Sequence, residues 1–161
     1  MGCHFLNKNA TFEYMEDSEI YKNREKLYEP LVQSLGLRKV EDKYYPEMFG
    51  NFFITLSSKI FSLRYIMERS YLTIEIKSNF AGDKWYDLSF IKNFINKADK
   101  INQEDNLDNL TRIKELNGFL KTHFTLVNEL LSQDNYHKTY DQLEVLLNNE
   151  LRLRYPGMIE E

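Results

Sequence analysis

The sequence predicts an α+β fold: a small antiparallel three- to four-stranded meander packed with helices, plus a C-terminal two-helix hairpin. Three observations carry this. Between Phe52 and Lys77, apolar and polar residues alternate in short runs separated by turn formers, the period of half-buried strands. On either side the apolar spacing lengthens to three and four, the period of a helix. Only 6 Gly and 3 Pro punctuate 161 residues that include 11 Tyr and 11 Phe, so the chain is aromatic-rich, poor in turns and rich in helix. The length fits a single domain over 1–161 with an ordinary hydrophobic core. It divides into an N-terminal arm (1–17), a helix-meander-helix body (18–98) and a helical hairpin (107–153).

In the arm, Phe5, Phe12, Tyr14 and Met15 follow no sustained period and fit a short strand or a packed segment. Ser18 can cap a helix over 18–35 in which Ile20, Leu27 and Leu31 recur. Pro30 lacks an N–H and crowds the preceding turn, so a disturbance is expected near residue 29. Gly36 suits a left-handed helix end and Leu37 the apolar contact after it. Arg38 to Tyr45 alternates loosely, a possible short strand, and Gly50 marks a bend or bulge before the next.

Strands follow over Phe52–Leu56, Phe61–Met67 and Tyr71–Lys77. Phe61, Leu63 and Tyr65 share one face with Leu72, Ile74 and Ile76, while Arg64, Glu68, Glu75 and Lys77 point the other way. Ser57-Ser58-Lys59 and Arg69-Ser70 are short enough for hairpins. After a turn over Asn79–Lys84, Asp87 can cap a helix with a Leu88, Ile91, Ile95 stripe. Residues 99–106 are a polar loop and the expected hinge.

From Leu107 the stripe Leu110, Ile113, Asn117, Leu120, Phe124, Val127, Leu131 predicts one helix of about seven turns, with Asn117-Gly118 as a polar residue and a poor helix former within it. The loop SQDNYHK leads to a capping box of Thr139 and Gln142 and a seam of Leu143, Leu147 and Leu151. Tyr155-Pro156-Gly157 ends the ordered part.

Charge and composition narrow the function. A net charge of −4 argues against nucleic acid, which calls for a basic surface. The charge is uneven: residues 101–161 hold eleven acidic and six basic side chains, a face that suits either solvent or a basic partner. Cys3 is the only cysteine, which rules out an intramolecular disulfide and suits a reducing compartment. With no apolar leader and no run of spanning length, a cytoplasmic protein without membrane contact is expected.

No motif has the spacing of known site chemistry. His4, His123 and His137 show no metal-ligand spacing and no glycine-rich phosphate loop or nucleophile elbow occurs, so neither a metal, a cofactor nor catalysis is expected. Glu68, Glu75 and Asp83 fit solvated surface carboxylates better than a catalytic pair. Arg64 and Arg69 could hold a carboxylate or phosphate, or pair across strands with Glu68 or Glu75. Trp85 with Tyr86 is either an aromatic anchor at a binding surface or the closure of one end of the core.

The motifs Phe49-Gly50, Leu63-Arg64 and Trp85-Tyr86-Asp87-Leu88, after a helix ending Ser34-Leu35-Gly36, resemble those of a group of small bacterial proteins. Many of these look like immunity proteins of polymorphic toxin systems. The resemblance covers residues 20–157 and departs at Ser70, where the group often has glycine after an arginine. It implies a non-enzymatic protein-binding module that neutralises a cognate protein toxin by steric occlusion. Arg64, Glu68, Arg69, Glu75, Asp83 and Trp85 are the candidate contacts, with the acidic tail beside them. The competing readings are a small-ligand binder or enzyme with a pocket between sheet and tail, and an adaptor that homodimerises through 107–153.

Overall fold

Five antiparallel strands in the order β1-β2-β3-β4-β5 form one sheet in the computed structural model, which describes residues 17–97 and 107–155. The arm through residue 16, the expected loop at 99–106 and the Pro156-Gly157 end lie outside the described residues. The elements run α1 (Asp17–Lys22), α2 (Glu25–Leu35), β1 (Arg38–Tyr45), β2 (Asn51–Ser57), β3 (Phe61–Glu68), β4 (Tyr71–Ser78), β5 (Tyr86–Asp87), α3 (Leu88–Ile95), α4 (Asn109–Thr122), α5 (Phe124–Leu130) and α6 (Tyr136–Arg154). The α+β architecture is the one the periodicities predict, with a two-residue fifth strand added at the edge.

The period-2 pattern works as expected. Phe52, Ile54 and Leu56 of β2, Phe61, Leu63, Tyr65 and Met67 of β3, and Leu72, Ile74 and Ile76 of β4 are all at most 1% exposed. The helices pack on this face: Tyr28 of α2 lies against Tyr65, and Ile113, Leu116 and Leu120 of α4 join the same cluster. Each such side chain withdrawn from water contributes about 1.5–3 kcal/mol, so this layer holds the fold together.

Polar side chains then fix the register of helices on sheet. The Tyr65 hydroxyl donates to Asn117 Oδ1 at 2.8 Å, and Asn117 Nδ2 donates to the Leu27 carbonyl at 2.6 Å. One buried amide thus joins β3, α4 and α2, which explains a polar residue in the apolar stripe of α4. β5 pairs only with Glu75 and Ile76, leaving the first half of β4 without a neighbouring strand there. The N-terminal turn of α4 takes its place: Asn109 Oδ1 accepts from Leu72 N, and the buried Arg112 guanidinium donates to the Leu72 carbonyl.

Several local expectations shift. The first helix breaks at Asn23–Arg24 rather than near residue 29, and Pro30 sits inside α2. Arg24 is held there by Asp42 of β1 at 3.0 Å and lies over the Tyr21 ring. Lys26, whose carbonyl Pro30 leaves without a helical donor, is exposed and can be hydrated. Ser18 falls within α1 rather than capping it.

The long helix is divided at His123, not disturbed at Gly118. Thr122 Oγ1 donates to the Gly118 carbonyl and His123 Nδ1 sits 3.1 Å from the Phe119 carbonyl, side-chain contacts that bend helices. α6 starts at Tyr136, so Thr139 is no cap; it is 2% exposed and donates to the Leu130 carbonyl, tying α6 to the end of α5. The caps at Asp87 and the left-handed Gly36 are as expected, and Leu37 is buried.

Candidate functional site

The second face of the sheet carries the candidate residues. Asp87, which caps α3, lies on it beside Glu75 and accepts from the Thr73 hydroxyl. Register places Arg64 of β3 opposite Glu75 of β4, and Arg64 Nε and Nη2 donate to Glu75 Oε2 at 3.1 and 2.6 Å. The cross-strand pairing of Arg64 is thus realised, with Glu75 as its acid.

Trp85 joins this pair. As β5 leaves the turn, Tyr86 points into the core, which it helps to close, and Trp85 to the open face, so the two halves of the dipeptide part. Tyr86 is 4% exposed and packs edge-on against Tyr140 of α6. Its hydroxyl donates to Glu144 Oε1 at 2.6 Å, and Lys84 reaches the same oxygen at 2.7 Å. The Lys84 ammonium and the Tyr86 hydroxyl hold the Glu144 carboxyl below its ordinary range, whereas burial and Glu144 push the Tyr86 phenol up.

On the open face, the Arg64 guanidinium lies 4.4 Å and the Lys77 ammonium 4.9 Å from the Trp85 ring centre. The indole N–H donates to Asp83 Oδ1 at 3.0 Å, and Lys77 Nζ meets that oxygen at 3.2 Å. These donors hold the Asp83 carboxyl below its usual range. The result is a pre-ordered patch of one aromatic ring, two cations and two carboxylates. Exposed cation–π contacts contribute on the order of 0.5–1 kcal/mol and exposed ion pairs little, so the patch orders a surface more than it holds the fold.

Arg64, Glu75, Asp83 and Trp85 therefore come together. Glu68 and Arg69 do not: they lie at the far end of β3, where Arg69 and Ser70 form a two-residue turn with φ of 48° and 65°. Both values are left-handed, as in a tight hairpin turn, so serine occupies the conformation that glycine would favour. Arg69 N donates to Asn51 Oδ1, which brings this hairpin beside the β1–β2 turn.

In that turn Phe49 has φ of 58° and is 80% exposed, so packing does not account for it. Lys77 was legible only as an outward residue, and its place on Trp85 depends on how the turn at Asp83 closes. Along β1 and β2, Lys43 stands over the Phe53 ring and pairs with Glu41 at 2.7 Å, continuing the mixed charged and aromatic surface.

On the helical side lies a groove of about 700 Å³ between α1–α2 and α4. Its walls are helices, unlike the pocket between sheet and tail of the competing ligand-binding reading. Among the described residues no group of three His, Cys, Asp or Glu side chains is placed to hold a metal ion, and no helix is long and apolar enough to cross a membrane.

The chain matches no family model, no curated protein and no solved structure. The fold and its surfaces are therefore the basis for a functional reading.

Proposed function

We propose that this chain is a non-enzymatic protein-binding module, an immunity protein that neutralises a cognate bacterial toxin by covering its active surface. The observation that carries the binding part is the open sheet face, on which Trp85 is held by Arg64, Lys77 and Asp83 before any partner arrives. Trp and Arg dominate the energetics of protein interfaces, and side chains already fixed lose less entropy on docking. The toxin as partner rests on the resemblance of the Phe-Gly, Leu-Arg and Trp-Tyr-Asp-Leu motifs. Occlusion asks for no reacting group; it asks for a rigid surface, which a meander with one buried face supplies.

The test is co-expression with the product of a neighbouring gene, which this reading expects to carry a toxin domain. Protection that Trp85→Ala or Arg64→Ala weakens, without loss of fold by circular dichroism, supports the reading. Absence of both protection and binding refutes it.

Self-association through the tail is a second reading, favoured by the end of α6. There Val145, Leu151, Leu153 and Tyr155 are exposed beside Arg152 and Arg154, with Asp141 and Glu144 toward the start of the helix. Antiparallel pairing of two copies would cover these apolar side chains and set Arg152 against Asp141. Sedimentation equilibrium should then show a dimer that Leu151→Glu dissociates; a wild-type monomer would exclude this reading.

A further inference from the structure

The groove on the helical side has a composition that the open sheet face does not explain. Pro30 of α2 and Leu110 of α4 are exposed along it, over a floor of the buried Ile20, Leu27 and Ile113. Lys26 on one wall and Lys114 and Lys121 on the other bring three cations to it, against the single carboxylate of Glu19. Among the described residues none of these ammonium groups has a carboxylate within ion-pair distance. Lys114 and Lys121 stand about 10 Å apart along α4 at 1.5 Å per residue. Between them lies Asn117, whose amide bonds the Leu27 carbonyl next to Lys26, so the three lysines border the same stretch of the groove.

Gly118 adds an independent observation. It sits inside α4, where glycine is about 1 kcal/mol worse than alanine. No left-handed φ requires it, and a Cβ built there meets nothing within 4 Å. Neither backbone conformation nor neighbour packing accounts for the residue, which is exposed and lines the groove. The volume of about 700 Å³ falls in the range of sites for small organic ligands, roughly 300–1,000 Å³.

We propose that this groove binds an anionic amphiphile, a single apolar chain ending in a carboxylate or a phosphate. The chain lies over Ile20, Leu27, Leu110 and Ile113, passing through the space at Gly118, and the head group meets Lys26, Lys114 and Lys121. The groove takes a ligand independently of the sheet face, and no bond is made or broken in the event.

The test is titration of the full chain with the fluorescent fatty acid dansyl-undecanoate. Dodecanoate, dodecyl phosphate, dodecanol and dodecyltrimethylammonium serve as competitors below micelle formation. Saturable binding is expected, displaced by the two anions at least about tenfold more strongly than by the alcohol, since a charge-assisted contact is worth that factor or more. The stronger of the two anions identifies the head group.

Gly118→Phe fills the groove and should abolish binding. The surface triple variant Lys26→Gln, Lys114→Gln, Lys121→Gln, which leaves the core untouched, should weaken the anions about tenfold or more and leave dodecanol unchanged. No saturable binding, equal displacement by the cationic competitor, or wild-type affinity in the triple variant would each overturn the proposal.

Discussion

Replacing Tyr65 by Phe probes the contact that locks the helical layer onto the sheet. The ring is fully buried and stays in place, so the change removes one hydroxyl and little packing. What is lost is the 2.8 Å bond to Asn117 Oδ1, and with it the partner of an acceptor in the interior. Burial pushes the phenol pKa up, so the hydroxyl is a neutral donor across the working pH range. An unmade bond with an unsatisfied buried partner costs about 1–3 kcal/mol, and for a chain of this size 2 kcal/mol lowers Tm by about 4–8 °C. Asn117→Leu should cost more, because it strands the Tyr65 hydroxyl and also removes the bond that ties α4 to the Leu27 carbonyl of α2. The double variant should cost less than the sum by about 1 kcal/mol or more, since the hydroxyl is no longer there to be stranded. Urea unfolding followed by circular dichroism measures all three. Additivity within about 0.3 kcal/mol would show that the two groups do not depend on each other and would refute this account of the core.

Three further predictions follow from individual residues. Gly118→Ala should stabilise the chain by roughly 0.5–1 kcal/mol in the same assay, because the new methyl meets open space and alanine suits a helix. Phe49→Gly should leave Tm unchanged or raise it, since glycine accepts φ of 58° freely and the exposed ring contributes little burial; a fall of more than about 1 kcal/mol would show that the ring packs. Glu144 has a lowered folded pKa, so its stabilising contribution is present above the ordinary glutamate range, near about 4.3, and is lost as pH falls through the folded value. Glu144→Gln should therefore flatten the acid side of the Tm-against-pH profile, and an unchanged slope there would contradict the pairing with Lys84 and Tyr86.

Where one periodicity served one buried face, sequence and structure agree. β3 and β4 were readable because every second side chain enters the same core, and Gly36 because only a left-handed helix end demands it. The failures share a physical cause, namely side-chain contacts, local and long-range, that periodicity does not record. A stripe with steps of three and four persists through the bend at His123, so spacing alone does not show that Thr122 and His123 bond back to the preceding turn. Thr139 and Gln142 satisfy the pattern of a capping box, yet the threonine goes instead to the Leu130 carbonyl. The break at Arg24 follows from Asp42 on a strand, outside any local window. β5 is two residues long and has no periodicity to detect. In the candidate site, Arg64 and Glu75 could be paired from strand alternation, and Trp85 stood out by type. That Lys77 and Asp83 join it, and that Glu68 and Arg69 lie at the other end of β3, depends on the turn before β5 and on the hairpin register. The groove at Gly118 needed two helices brought together; the sequence offered only an unexplained glycine.

The central claim is that the open sheet face around Trp85 is a partner-binding surface, and protection of cells tests it most directly. The chain, its Trp85→Ala variant and its Gly118→Ala variant are each co-expressed with the toxin domain that the proposed function expects of a neighbouring gene, and survival is scored. The account predicts protection by the wild type and by Gly118→Ala, and at least tenfold weaker protection by folded Trp85→Ala, because a central interface tryptophan carries about 2 kcal/mol or more. Full protection by Trp85→Ala would contradict the assignment of the surface, and no protection by any of the three would contradict the function.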